Sequence, residues 1–247
     1  MFDYQAPEQL LKDRIILITG AGDGIGRTAA LSFAQHGATV ILAGRTTKKL
    51  EAVYDEIEAK GWPQPAIFPI NLEGAAPHDY EVVAATIEKE FGQIDGLLNN
   101  ASLLGNRTPI ENYDPSTWNQ VMQVNVNAQF LLTQTMLPLL MKSDDASVIF
   151  TSSGVGRQGR AYWGAYAVSK FATEGLMQVL ADELENTSNI RVNAINPGAT
   201  RTNMRATAYP GENPNQLATP EQIMPTYLFL MGPDSKGTNG QSIDAQG

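Results

Sequence analysis

The stretch AYWGAYAVSK runs from Ala161 to Lys170 and carries Tyr162, Tyr166 and Lys170, each four residues after the last. On a helix that spacing stacks side chains along one face. Two readings stand at this point. The three residues form an amphipathic surface stripe, or the lysine tunes one of the phenols. A free phenol, with a pKa near ~10, is too weak an acid to exchange protons efficiently at neutral pH. An ammonium within ~4–6 Å favours the phenolate by ~1–3 units.

A second constellation lies in ITGAGDGIGRT, where Gly20, Gly24 and Gly26 follow the pattern T-G-x-x-x-G-x-G. Glycines permit positive φ, let backbone approach a diphosphate, and let a strand and helix pack closely. The helix that follows offers free N–H groups and a partial positive charge to phosphates. The alternative is a strand–helix turn with no ligand. About twenty residues on, at a position where an acidic side chain grips the ribose 2′-OH of NAD, the chain has Gly44 and then Arg45. A guanidinium binds a 2′-phosphate in a fork where a carboxylate repels it, so NADP(H) is expected over NAD(H). Asp23, inside the glycine turn, argues the other way, and a merely solvated Arg45 is the alternative.

Strands and helices must position these groups. Short apolar runs predict strands over 14–20, 38–44, 66–70, 94–101, 147–153 and 190–198, with a last one at QSIDA near the end. Helical patterns fill the gaps. One follows the glycine turn to about His36, one ends at Gly61, and one covers 78–91. A long helix is expected over 114–142, with Asp114 as N-cap and Pro115 at the first position. Another begins at Ala161, and a short one lies in PEQIMPTYLFLM. Continuous apolar strands separated by helices imply an α/β fold: a doubly wound, Rossmann-type parallel sheet of about seven strands covered on both faces. No linker or repeat divides the chain, so 1–247 is expected to be one domain.

Composition bounds the partners. The formal net charge of -9 argues against nucleic acid and anionic membrane, which need a basic footprint. The absence of cysteine excludes disulfides and thiolate metal sites and fits a reducing cytoplasm, the expected location. His36 and His78 stand in no metal-binding spacing, so no metal is expected. No run of ~18 apolar residues spans a membrane, and the N-terminus reads as no signal peptide.

Thr19-Gly20, Gly24, Gly26, then NNAS at 99–102, Asn125, Ser153, Tyr166, Lys170 and NPGATRT at 196–202 occur in the order of the short-chain dehydrogenases/reductases, and the chain resembles that family over nearly its whole length. The resemblance implies hydride transfer between a nicotinamide and a carbonyl or secondary alcohol of a small molecule. Tyr166 is the implied acid/base and Lys170 its partner, which also holds the nicotinamide ribose. Ser153, rather than Ser152, is implied to bond the substrate oxygen, and Asn125 to hold a water joining Lys170 to solvent. The Tyr–Lys spacing argues against the enoyl-reductase branch.

The family pattern places cofactor contacts at Gly20, Gly24, Ile25, Gly26, Arg45, Asn71, Leu72, Asn100, Ala101, Tyr166, Lys170, Pro197, Gly198, Thr200 and Thr202. Two residues depart from it: Ser102 replaces a glycine, and Asn71 an adenine-touching aspartate. A substrate loop is expected at 203–217, with Leu104, Tyr162, Met204 and Tyr209 in the pocket. The stretch 157–163 is expected to form another wall, where Arg157 and Arg160 either receive an anionic substrate or bind within the protein or to a neighbouring subunit. Trp118 is expected to serve helix packing. The apolar helices carrying Asn125 and Tyr166 imply a homodimer or homotetramer by symmetric packing. An NAD-dependent dehydrogenase and a non-catalytic dinucleotide sensor are the alternatives.

Overall fold

The computed structural model describes residues 2–246. Seven parallel strands lie in the order β3-β2-β1-β4-β5-β6-β7. They are β1 (Ile15–Thr19), β2 (Thr39–Gly44), β3 (Ala66–Pro69), β4 (Gly96–Asn99), β5 (Ala146–Thr151), β6 (Ile190–Asn196) and β7 (Ser242–Asp244). The helices are α1 (Gly24–Gln35), α2 (Thr47–Ala59), α3 (Pro77–Phe91), α4 (Pro115–Met122), α5 (Ala128–Leu140), α6 (Gly164–Leu184), α7 (Asn203–Ala208) and α8 (Met224–Met231).

Strand pleating explains the two layers. Ile16, Ile18, Val40 and Leu42 face one way and pack with Phe33 of α1, Val53 of α2 and Tyr227 of α8. Their neighbours Leu17, Ile41 and Ala43 face the other way, against Tyr80 of α3, Met136 of α5 and Met177 of α6. Both faces are apolar because both are covered, which is why the strands read as continuous runs rather than alternating ones. The chain runs outward from β1 to β3 and returns to β4 on the other side of β1. The strand order reverses there, and a groove opens at the carboxyl ends of the strands.

The sequence-expected helix over 114–142 is interrupted. α4 gives way to a π-helical turn at Gln123–Asn127 before α5 continues. Its start is as expected, with Asp114 accepting from Thr117 N at 2.8 Å. The helix expected from Ala161 begins only at Gly164. Among the described residues, no helix is long and apolar enough to cross a membrane, and no acid–histidine cluster is placed to hold a metal.

The opposite end of the sheet is closed by charge. Asp145 accepts from Arg14 Nη1 at 2.9 Å and from Arg191, which also donates to Gly232 O at 3.1 Å. Burial pushes the Asp145 carboxyl up, but Arg191 and Arg14 together outweigh it and hold it below the usual carboxylate range. A depressed folded pKa contributes stability that is complete above the unfolded value near ~3.9 and is lost as pH falls through the folded value. We expect Asp145→Asn to flatten the acid limb of a stability–pH curve and to cost about 2–3 kcal/mol at neutral pH, as urea unfolding would measure. That is less than the ~3–5 kcal/mol of a fully buried pair because both partners keep some solvent.

Candidate active site

The floor of the groove is sewn together at the ends of β1, β4 and β5. Thr19 Oγ1 accepts from Asn100 N at 2.9 Å and Ala101 N at 3.0 Å, and donates to Leu98 O at 3.3 Å. Thr151 Oγ1 donates to Asn100 Oδ1 at 3.3 Å. Gly20 turns the chain at φ 68°, and a Cβ there would sit 3.1 Å from Ala101 Cα. Gly26, expected among the cofactor contacts, takes the close-packing part that such a turn also requires. A Cβ on it would stand 2.6 Å from Asn100 Nδ2 and closer still to Gly20 O. Gly26 is therefore a close-packing residue beneath the turn and does not line the groove, whereas Gly20, Gly24 and Ile25 do.

The groove, of about 450 Å³, runs from this turn to Tyr166. Its far end is lined by Arg45, Thr46, Lys49, Asn71, Leu72 and Glu73. Each cation there has an acid beside it: Arg45 stands 4.0 Å from Glu73, and Lys49 Nζ donates to Asp23 Oδ2 at 2.5 Å. Lys49 hydrogen-bonds and charges hold the Asp23 carboxyl below its ordinary value. Lys49 was not among the sequence-derived contacts, although it lies four residues beyond Arg45.

At the other end, three consecutive residues leaving β5 meet α6. Lys170 Nζ donates to Thr151 O at 2.6 Å. Ser152 Oγ donates to Glu174 at 2.5 Å, so its hydroxyl is spent there. Ser153 faces the Tyr166 phenol. Lys170 is fully buried and lies behind Tyr166, its Nζ 5.5 Å from the ring centroid. Burial pushes the Tyr166 phenol up to about 12, with Ser153 opposing. Burial also pushes Lys170 down to about 8, with Glu174 opposing. The expected lowering of the phenol by Lys170 does not appear: what opposes burial at Tyr166 is the hydrogen bond with Ser153. Desolvation and hydrogen bonding to the charged form act in opposite directions, and here desolvation is larger.

Tyr162 departs from the expected stripe. It precedes α6, sits at φ 71° and is 56% exposed, so it neither stacks with Tyr166 nor lines the groove. Gly164, at φ 31° and pressed against the Tyr113 ring, ends the turn that diverts it. The stripe on α6 is instead Tyr166, Lys170 and Glu174.

Asn125 lies in the π-helical turn, fully buried. Its Oδ1 accepts from Leu103 N at 2.7 Å, and its Nδ2 donates to Leu103 O at 2.9 Å and Ser169 Oγ at 3.0 Å. The side chain therefore pins the chain after β4 and ties it to α6, while Thr173 Oγ1 donates to the Asn125 backbone carbonyl at 3.5 Å.

Pro197, Gly198, Thr200 and Thr202 line the groove as expected. Gln246 fastens this segment, its Nε2 donating to Pro197 O at 2.8 Å and Ala199 O at 3.2 Å. The substrate loop contains α7, capped by Thr202 Oγ1 accepting from Arg205 N. Leu104 and Met204 line the pocket. Tyr209 stands behind it, its ring between the guanidiniums of Arg107 at 4.6 Å and Arg205 at 3.9 Å. Trp163, from the expected 157–163 wall, lines it instead, as do Arg205 and Ala208 from the expected loop. Asn203 Nδ2 reaches Asp23 Oδ2 at 3.3 Å, tying α7 to the glycine turn. Arg157 is turned away and pairs with Asp244 at 2.8 Å, while neither it nor Arg160 lines the pocket. Trp118 packs edge-on against Tyr113.

These residues fit a dinucleotide. A Cβ-intolerant turn opens a helix at one place, two cations stand at one end, and a phenol with a buried ammonium stands at the other. The sequence profile described as short chain dehydrogenase matches residues 14–213. The Escherichia coli protein named uncharacterized oxidoreductase YciK is 55% identical over 243 residues, covering 98% of this chain and 96% of that one. A short chain dehydrogenase structure from Pseudomonas syringae superposes with a TM-score of 0.98 at 60% identity, with 100% of both chains covered. Another from Shigella flexneri, complexed with NADP, gives 0.95 at 55% identity over 98% of this chain and 100% of that one. The chain is thus an oxidoreductase belonging to the short-chain dehydrogenase/reductase family.

Proposed function

We propose that the protein is an NADP(H)-dependent oxidoreductase that interconverts a carbonyl and a secondary alcohol, with Tyr166 as general acid/base. The observation that carries this reading is the convergence of Ser153, Tyr166 and Lys170 at one end of a groove whose other end holds the glycine turn, Arg45 and Lys49. Bound there, the nicotinamide supplies or accepts the hydride. Gly20, Gly24, Asn100 and the 197–202 segment would hold it, with Lys170 on its ribose. Ser153 donates to the substrate oxygen and orients it. In reduction, Tyr166 gives its phenolic proton to the developing alkoxide. In oxidation the phenolate takes that proton back. Trp163, Leu104 and Met204 form an apolar wall that excludes water from the reacting carbon.

The adenosine end supports NADP(H), as does the NADP in the Shigella relative. Titrating NADPH and NADH against the protein tests this, and tighter NADH binding overturns it. We expect Arg45→Ala to weaken NADPH by about tenfold or more, the size of one lost charge-assisted hydrogen bond of ~1.5–3 kcal/mol, while leaving NADH within about twofold. A panel of carbonyls and alcohols read by nicotinamide absorbance tests the reaction, and complete inactivity with bound NADPH refutes it. Phe130 on α5 and Val168, Phe171 and Val179 on α6 are exposed apolar residues, and they support a symmetric dimer through these helices.

A further inference from the structure

Glu174 lies one turn beyond Lys170 on the same face of α6 and is 6% exposed. Its Oε1 accepts from Ser152 Oγ at 2.5 Å and from Ser242 Oγ at 2.7 Å, so a strand exit on one side and β7 on the other hold the carboxylate in place. Lys170 is 0% exposed, and the described residues offer its ammonium a single hydrogen bond, to Thr151 O. A buried ammonium with so little compensation gives up its proton unless an opposite charge offsets its desolvation.

Among the described residues, the surrounding groups leave one candidate for that charge. On α6 itself the titratable neighbours are Tyr166 and Glu174. The β5 exit offers Thr151, Ser152 and Ser153, and the α5 side offers Asn125 and Ser169, all without charge. From α8, Tyr227 is a buried phenol that burial pushes up and keeps neutral. Arg157 Nε lies 3.7 Å from Glu174, but Asp244 stands 2.8 Å from Arg157 Nη1. Arg157 is shared between two carboxylates, so Arg157, Asp244 and Glu174 together carry one net negative charge, and Glu174 is the buried member of the three that shares the α6 face with Lys170.

We propose that Glu174 is a positioning residue that keeps Lys170 an ammonium, with Ser152 and Ser242 holding its carboxylate in place one helical turn away. The importance of that ammonium rests on the function proposed above, but the test does not depend on turnover.

Burial pushes Lys170 down to about 8, so the native protein loses this proton before the unfolded chain does, near ~10.4. Between those values the unfolded state binds more protons, and stability rises with pH. The melting temperature is measured from about pH 6 to 10 for the wild type, Lys170→Met, Glu174→Gln and the double variant. Subtracting K170M from wild type isolates the lysine, and subtracting the double variant from E174Q isolates it without the carboxylate. The expected result is an onset of the rise about one pH unit lower when Glu174 is absent. Identical onsets overturn the proposal, as does a wild-type curve that K170M leaves unchanged. If E174Q fails to fold, the double variant is expected to fold because the uncompensated charge is gone. Failure of both would make the carboxylate purely structural and overturn the proposal. An NADPH titration of the wild type addresses the proposed function separately: failure to bind counts against that reading and leaves the charge test intact.

Discussion

Tyr166→Phe is expected to bind NADPH within about twofold of the wild type and to turn over a carbonyl substrate about 10²–10⁴ times more slowly, the range that general acid–base catalysis contributes. The substitution removes one oxygen and keeps the ring that packs with Trp163, Val155 and Ala208, so the fold and the groove are retained. The loss should fall on kcat and on kcat/KM together, since the proton moves only in the transition state. The direction of the reaction adds a signed check. With the phenol pushed up to about 12 by burial, the protonated form prevails in the protein alone at neutral pH. Reduction, which needs the acid, is therefore expected to run undiminished through neutrality. Oxidation, which needs the phenolate, is expected to quicken as pH rises. Steady-state kinetics in both directions measure this, and near-normal turnover by the variant removes Tyr166 from its role.

The pH behaviour of the pair shows where sequence spacing is a good guide and where it is not. Spacing puts Tyr166 and Lys170 on one face of a helix, and they are there. It carries no information about how deeply that face is buried, and burial sets the direction of both shifts. The same four-residue rhythm invites Tyr162 into the stripe, but a positive φ at Tyr162 and the packing of Gly164 on Tyr113 end the helix first. Glu174 stands on the same rhythm one turn further on, but nothing in the sequence reading singled it out. The strands were legible because each is buried on both faces, leaving runs such as ILIT and VILAG with no polar interruption. Gln246, Arg107 and Asp244 were not legible. They act across long stretches of chain, as in Gln246 on Pro197 or Arg107 between Trp163 and Tyr209, and no local pattern encodes such meetings. The π-helical turn was hidden for a related reason. VMQVNVNAQF has ordinary helical composition, and the extra residue in the turn is visible only once Asn125 is seen reaching Leu103.

That contact makes Asn125→Ala the second large effect expected. The side chain satisfies both the N–H and the C=O of Leu103, at 2.7 Å and 2.9 Å, much as a neighbouring strand would. Truncation removes two bonds to the half-buried Leu103 backbone, at about 0.5–1.5 kcal/mol each, or about 1–3 kcal/mol in all. Ser169 Oγ keeps its bond to Tyr166 O and loses only the donor it accepts. The damage is therefore directed at the 101–105 segment, which borders the groove at Ala101, Ser102, Leu103 and Leu104. Turnover should fall further than thermal stability alone explains, because the protein that remains folded carries a loosened groove wall. Asn125→Asp separates the two bonds: a carboxylate still accepts from Leu103 N but cannot donate to Leu103 O or Ser169, so its loss should lie between wild type and alanine if the Leu103 clamp is the cause. Urea unfolding and amide hydrogen exchange at Leu103 measure this. Protection at Leu103 unchanged in Asn125→Ala would assign the effect to the backbone of the π-helical turn rather than to the side chain.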